Sequence, residues 1–155
     1  MAIEIGDLCP DFDLISTSGA RKKLSNYSGR LLVIYFYPKD STPGCTKESC
    51  KFRDIYDEFK EINCEVIGIS ADNNVSHNNF SDEFNLNFEL LSDEEYLMTK
   101  SFGAFFISKD YGNSIKRETY VINEDGQVIG AWKDISDPEI HPIEVLKFVQ
   151  SKVKH

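Results

Sequence analysis

Apolar and polar positions follow two rhythms along this chain, and the switches between them mark out its elements. Leu31-Leu32-Val33-Ile34-Tyr35-Phe36-Tyr37 is an unbroken apolar run, the pattern of a strand buried on both faces. Upstream, Phe12, Leu14 and the turn signal Ser18-Gly19 predict a short strand and hairpin that lead through Leu24 and Tyr27-Ser28-Gly29 into that run. Downstream, Phe52, Ile55, Tyr56, Phe59 and Ile62 recur at steps of three and four with charged residues between them, which predicts an amphipathic helix from Cys45 to about Glu61. Cys64 to Ser70 reads as a second buried strand ended by Asp72-Asn73-Asn74, and Val75 to Phe84 as a helix.

Phe88 to Leu91 predicts a further strand, and Ser92-Asp93-Glu94-Glu95 has the form of a capping box opening a helix through Met98 and Phe102. The stretch from 104 to 115 has no period and is expected to be a surface loop. Thr119 to Ile122, the turn Asn123-Glu124-Asp125-Gly126 and Gln127 to Trp132 form a hairpin signal. A last segment, opened by Asp137-Pro138, places Ile143, Leu146, Val149 and Val153 on one helical face, interrupted by Pro142. Strands that alternate with helices and end in a hairpin and a helix describe an α/β fold, a central mixed sheet with helices on both faces and an N-terminal hairpin, in a single domain over residues 1–155.

Composition narrows the function classes. The net charge of −9 argues against nucleic acid, whose binding is driven by clustered Lys and Arg, and leaves no basic patch for an anionic membrane. The N-terminus lacks the basic and apolar segments of a secretory signal, so a cytoplasmic location is expected, where the four cysteines would be thiols. Cys45-Cys50 and the scattered His77, His141 and His155 lack the short paired spacings of a structural zinc site. No phosphate-binding or dinucleotide-binding motif is present, so neither a metal nor a bound organic cofactor is expected. The histidines are expected at the surface.

Cys45 stands between the buried strand and the amphipathic helix, at the N-terminus of the latter. Free N–H groups and the helix dipole there favour the anionic sulfur over the neutral thiol. Pro38, Thr42 and Cys45 are spaced Pro-x-x-x-Thr-x-x-Cys, and each has a task if Cys45 attacks a peroxide. The proline fixes the loop and shields the sulfur. The Thr42 hydroxyl exchanges hydrogen bonds with a peroxide oxygen, and the N–H groups near Gly44 and Cys45 stabilise the leaving oxygen. Arg117 is the candidate cation for the thiolate and the O–O bond.

Residues Tyr37 to Asp54, Tyr-Pro-Lys-Asp-Ser-Thr-Pro-Gly-Cys-Thr-Lys-Glu-Ser-Cys-Lys-Phe-Arg-Asp, resemble the active-site segment of peroxiredoxins of the bacterioferritin comigratory protein (PrxQ) group. The likeness extends from Gly6-Asp7 through Val66 to Asp72 to the stretch from Arg117 to Gly126. It implies a thioredoxin-like fold and a thiol peroxidase for hydrogen peroxide and organic hydroperoxides. Cys45 is then the peroxidatic cysteine, Thr42 and Arg117 its activating partners, and Cys50 the resolving cysteine. A thioredoxin-like dithiol would recycle the disulfide. Glu48 also matches, although an acid in a first helical turn is equally expected from the dipole.

Five residues along an ideal helix separate two Cα atoms by about 8.7 Å, whereas a disulfide tolerates at most about 7 Å. Joining Cys45 to Cys50 therefore requires the first turns of the helix to unwind. Cys9 and Cys64 read as small buried hydrophobes. A thiol-disulfide oxidoreductase is disfavoured because it typically uses Cys-x-x-Cys, and a non-enzymatic thioredoxin-like binding module has no use for Thr42, Cys45 and Arg117 together. A monomer is expected, since resolution within one chain needs no partner.

Overall fold

The computed structural model describes residues 2–153. Its strands are β1 (Asp13–Ser16), β2 (Arg21–Lys23), β3 (Leu31–Phe36), β4 (Cys64–Ser70), β5 (Glu89–Ser92), β6 (Phe105–Ser108), β7 (Gly112–Ile115), β8 (Glu118–Ile122) and β9 (Val128–Trp132). Its helices are α1 (Pro43–Glu61), α2 (Asn74–Phe84), α3 (Leu97–Phe102) and α4 (His141–Lys152). Seven strands form one sheet in the order β2-β1-β5-β4-β3-β8-β9. β3, β4 and β5 are parallel, whereas β1, β8 and β9 pair antiparallel to their neighbours.

Every residue of β3 is buried, as its apolar run requires of a central strand. Alternate side chains serve two cores. Leu31, Val33, Tyr35 and Tyr37 pack with Phe52, Phe59, Phe80 and Val149 from α1, α2 and α4, whereas Leu32, Ile34 and Phe36 pack with Met98 and Phe102 of α3. Tyr35 stacks on Phe52 with ring centroids 4.6 Å apart, so the helix that begins at the site is fixed to the strand that precedes it. Full burial of each such side chain stabilises the fold by about 1.5–3 kcal/mol.

Four expectations change. The Ser92–Glu95 capping box does not form, because Ser92 closes β5 opposite Ser70. Asp93 caps instead, accepting from the Met98 and Thr99 N–H groups at 3.2 and 2.7 Å, and α3 starts at Leu97. The expected loop from 104 to 115 is the β6–β7 hairpin, a separate two-stranded sheet that buries little of either face and so imposes no alternation on its sequence. Pro142 lies in the first turn of α4, where its missing N–H costs nothing; Asp137 instead caps a separate turn, accepting from Glu139 and Ile140. His77 and His141 are buried, because each has hydrogen-bond partners inside the fold, and His155 lies outside the described residues.

Candidate active site

Pro38 ends the β3 ladder, Thr42 is the N-cap of α1 with extended backbone, and Pro43 follows in its first turn. No side chain caps this helix. Pro43 has no N–H and the Thr46 N–H is bonded to the Thr42 carbonyl at 2.8 Å, so the N–H groups of Gly44 and Cys45 itself have no intrahelical acceptor. The Thr42 hydroxyl donates to the Lys39 carbonyl at 2.9 Å, which leaves its oxygen lone pairs free one turn before the sulfur.

Arg117 comes from the other side of the sheet's turn into α1. The β3–β8 register pairs Phe36 with Glu118, so the residue before Glu118 lies at the end of β3, where α1 begins. Its Nη2 donates to Cys45 Sγ at 3.4 Å and its Nη1 to Glu48 Oε1 at 2.7 Å. One guanidinium thus holds both. Cys45 and Glu48 are fully buried, and Arg117 is 18% exposed. Burial pushes the Glu48 carboxyl up to about 7 against the pull of Arg117. Burial acts to lower the pKa of Arg117, but Glu48 and Cys45 outweigh it and raise it.

The sequence model of the AhpC/TSA family matches residues 5–131. The chain belongs to the AhpC/TSA family, in its Bcp/PrxQ group of peroxiredoxins. Peroxiredoxin Bcp of Bacillus subtilis is 38% identical over 98% of this chain and the whole of that protein. A cysteine-to-serine mutant of Xylella fastidiosa PrxQ superposes with a TM-score of 0.92 at 31% identity, covering 98% of each chain. The bacterioferritin comigratory protein of Xanthomonas campestris, a structure concerned with alkyl peroxide reduction, gives 0.87 at 34% identity over 92% of each chain. The sheet and helices above are the thioredoxin-like fold of these peroxiredoxins.

In this peroxiredoxin the four cysteines have distinct surroundings, and none is bonded to another. Cys50 is half-buried on the same continuous helix as Cys45, and burial foremost raises its pKa, so it is a thiol while α1 is intact. Cys9 is 7% exposed and pushed up to about 12 by burial and Asp11, and Cys64, 3% exposed, is raised by burial above all. Both occupy the core, as read from the sequence.

Of the remaining expected residues, Pro38 is exposed at the rim of a cavity of about 630 Å³ that Thr42 also lines. Tyr96, Tyr111, Asn113 and Ser114 form another wall. Phe105 and Phe106 are not part of it; Phe105 packs edge-on against Tyr96. Ser49, which meets Tyr35 Oη at 2.8 Å beside the site, and Pro138 had no signal in the sequence.

Gly44 makes room for the arginine. A Cβ at this position would lie 3.1 Å from Arg117 Nη2 and 3.6 Å from Pro138 Cγ. Gly44→Ala is expected to hold or raise stability, because alanine is the better helix former by about 1 kcal/mol. It should also displace the guanidinium from the sulfur and slow the reaction with peroxide by about tenfold, or 1.4 kcal/mol. Stopped-flow oxidation alongside urea unfolding separates the two effects; an unchanged rate would count against the placement of Arg117.

Proposed function

We propose that this single-domain peroxiredoxin reduces hydroperoxides through Cys45 and Cys50 and is recycled by a thioredoxin-like dithiol. The observation that carries the reading is the Cys45–Arg117–Glu48 contact at an uncapped helix N-terminus. The Cys45 thiolate attacks one peroxide oxygen, the O–O bond breaks, and with one proton the other oxygen leaves as water or an alcohol. Arg117 and the free N–H groups of the first turn of α1 stabilise charge on the separating oxygens, and Thr42 orients the peroxide. Cys45 is left as a sulfenic acid. The Cys50 thiol then displaces its hydroxyl as water, giving the disulfide, and the external dithiol returns both sulfurs to thiols as it is itself oxidised.

Cys45 is fully buried, so peroxide enters as the segment around it fluctuates. The cavity beside Thr42, walled partly by Ala71, Tyr96 and Tyr111, suits the organic part of an alkyl hydroperoxide. Among the described residues no helix is long and apolar enough to cross a membrane. We place the protein in the cytoplasm as a monomer, because resolution within one chain needs no second subunit.

Mass spectrometry after one equivalent of peroxide tests the scheme. A Cys45–Cys50 disulfide is expected, and four unmodified thiols would overturn it. Because α1 runs unbroken through both cysteines, amide exchange from Thr46 to Asp54 should accelerate on oxidation. Equal protection in the two states would exclude the unwinding step.

A further inference from the structure

The segment from Tyr37 to Asp40, between β3 and α1, is tied down by buried polar groups that the chemistry above does not use. Asp40 is 6% exposed and His77, in the first turns of α2, is fully buried. Asp40 Oδ1 accepts from Tyr37 Oη at 2.6 Å, and its Oδ2 accepts from Ser76 Oγ at 2.8 Å and His77 Nδ1 at 2.7 Å. The Asp40 N–H donates to Asp72 Oδ2 at 2.8 Å, which also accepts from Ser70 Oγ at 2.7 Å. His77 Nε2 donates to the Leu91 carbonyl at 3.1 Å.

The facing atoms of Asp40, Asp72 and His77 lie within 4.8 Å of one another, but each is already engaged by protein groups, so the cluster is a tie and not a cation site. It joins the loop to α2 and to the ends of β4 and β5. Immediately after it the chain changes character. Ser41 is exposed and left-handed, with φ of 66°, and Pro43 and Lys47 are also exposed. The Thr42 hydroxyl is held only to Lys39, and Cys45 is held to Arg117 through the sulfur that oxidation alters.

We propose that the Asp40–His77 pair is a clamp that ends the redox unwinding of α1 at Ser41. Residues 37–40 stay fixed in the thiol and disulfide states while 42–50 open. This rests on the Cys45–Cys50 disulfide of the preceding section. The Cys45–Cys50 disulfide cannot form in an intact helix, so it forces open 42–50 even though Cys45, Glu48 and Ser49 are buried there; a fixed end limits the freedom of the unwound segment and returns Thr42 to its place on reduction. Asp40 and His77 are thus positioning residues.

The test compares the reduced full-length protein with its disulfide form prepared by diamide, whose azo bond takes up two electrons and two protons as it becomes a hydrazine, so peroxide reactivity does not enter. In the parent protein, amides from Thr46 to Cys50 should exchange at least tenfold faster in the disulfide form. The Tyr37 and Asp40 amides should change less than twofold. His77→Gln, which loses the donor to Asp40, should speed the Asp40 amide at least tenfold in the disulfide form. With the end released, the equilibrium should move about threefold to tenfold toward the disulfide, a potential about 15–30 mV more negative. His77→Asn, whose amide nitrogen can stand in for Nδ1, should restore both values, whereas a general loss of stability would not move the potential or be rescued.

An Asp40 amide that accelerates with α1 in the parent protein would overturn the clamp alone, and this comparison stands even where His77→Gln does not fold. Parent-like exchange and potential in His77→Gln would also overturn it. Failure of diamide to join Cys45 to Cys50 would overturn the disulfide reading beneath it.

Discussion

Cys45→Ser is expected to reduce peroxide consumption, coupled to thioredoxin and its reductase, to the uncatalysed level, a loss of at least about a thousandfold or 4 kcal/mol of barrier. The sulfur is the nucleophile because it lies in the first turn of α1 with Arg117 Nη2 donating to it at 3.4 Å. A serine hydroxyl at the same place has no base to take its proton. Arg117 is a cation, and Glu48 is paired with it through Oε1. The replacement is nearly isosteric, so folding should survive while chemistry does not. Cys50→Ser should behave differently: the first equivalent of peroxide is consumed at close to the parent rate, a sulfenic acid accumulates, and turnover with thioredoxin stops. Dimedone trapping and the coupled assay read the two arms. Turnover above a tenth of the parent rate in Cys45→Ser would move the nucleophile elsewhere, although Cys9 and Cys64 are poor rivals in the core.

The nucleophile was legible in the sequence because its setting is local. A strand buried on both faces, a proline, a threonine and an amphipathic period within thirty residues leave Cys45 little choice but the first turn of α1. Arg117 was not legible in that way. It lies 72 residues along the chain and reaches the sulfur only through the β3–β8 register, so the resemblance to peroxiredoxins supplied what spacing could not. The environment of Glu48 was hidden for the same reason. Its acid character suited a helix dipole, and only the fold encloses it fully behind Arg117. The burial of His77 and His141, against the surface position expected of them, was not legible because a polar residue on a helix says nothing of its partners. For His141 the partner is Thr119 Oγ1 at 2.8 Å, on a strand 22 residues away in sequence. The β6–β7 hairpin was missed because strands with two exposed faces carry no alternation.

Removing Arg117 is expected to produce both the second-largest loss of rate and a change in how stability depends on pH. Loss of one donor to a developing oxyanion costs about a hundredfold to a thousandfold, and Arg117→Met should fall in this range for the second-order reaction with peroxide. Arg117→Lys keeps the charge but not the planar fork that reaches Sγ and Oε1 together, and should recover only part of it. The stability effect runs through Glu48. Its carboxyl sits at about 7 in the folded protein against an ordinary 4.5, so the folded state holds the proton more tightly than the unfolded chain does. That contribution is complete below pH 4.5 and is lost as pH rises through 7, by about 3 kcal/mol in all. Glu48→Gln removes the titrating group, and its denaturation midpoints should therefore lack this descending limb. In Arg117→Met the two influences that lower the Glu48 value are gone, the carboxyl keeps its proton to higher pH, and the limb should extend above pH 7. Subtracting the matched glutamine background at each pH isolates the group. Arg117→Met and parent curves that coincide after subtraction would mean that Arg117 does not hold the buried carboxyl.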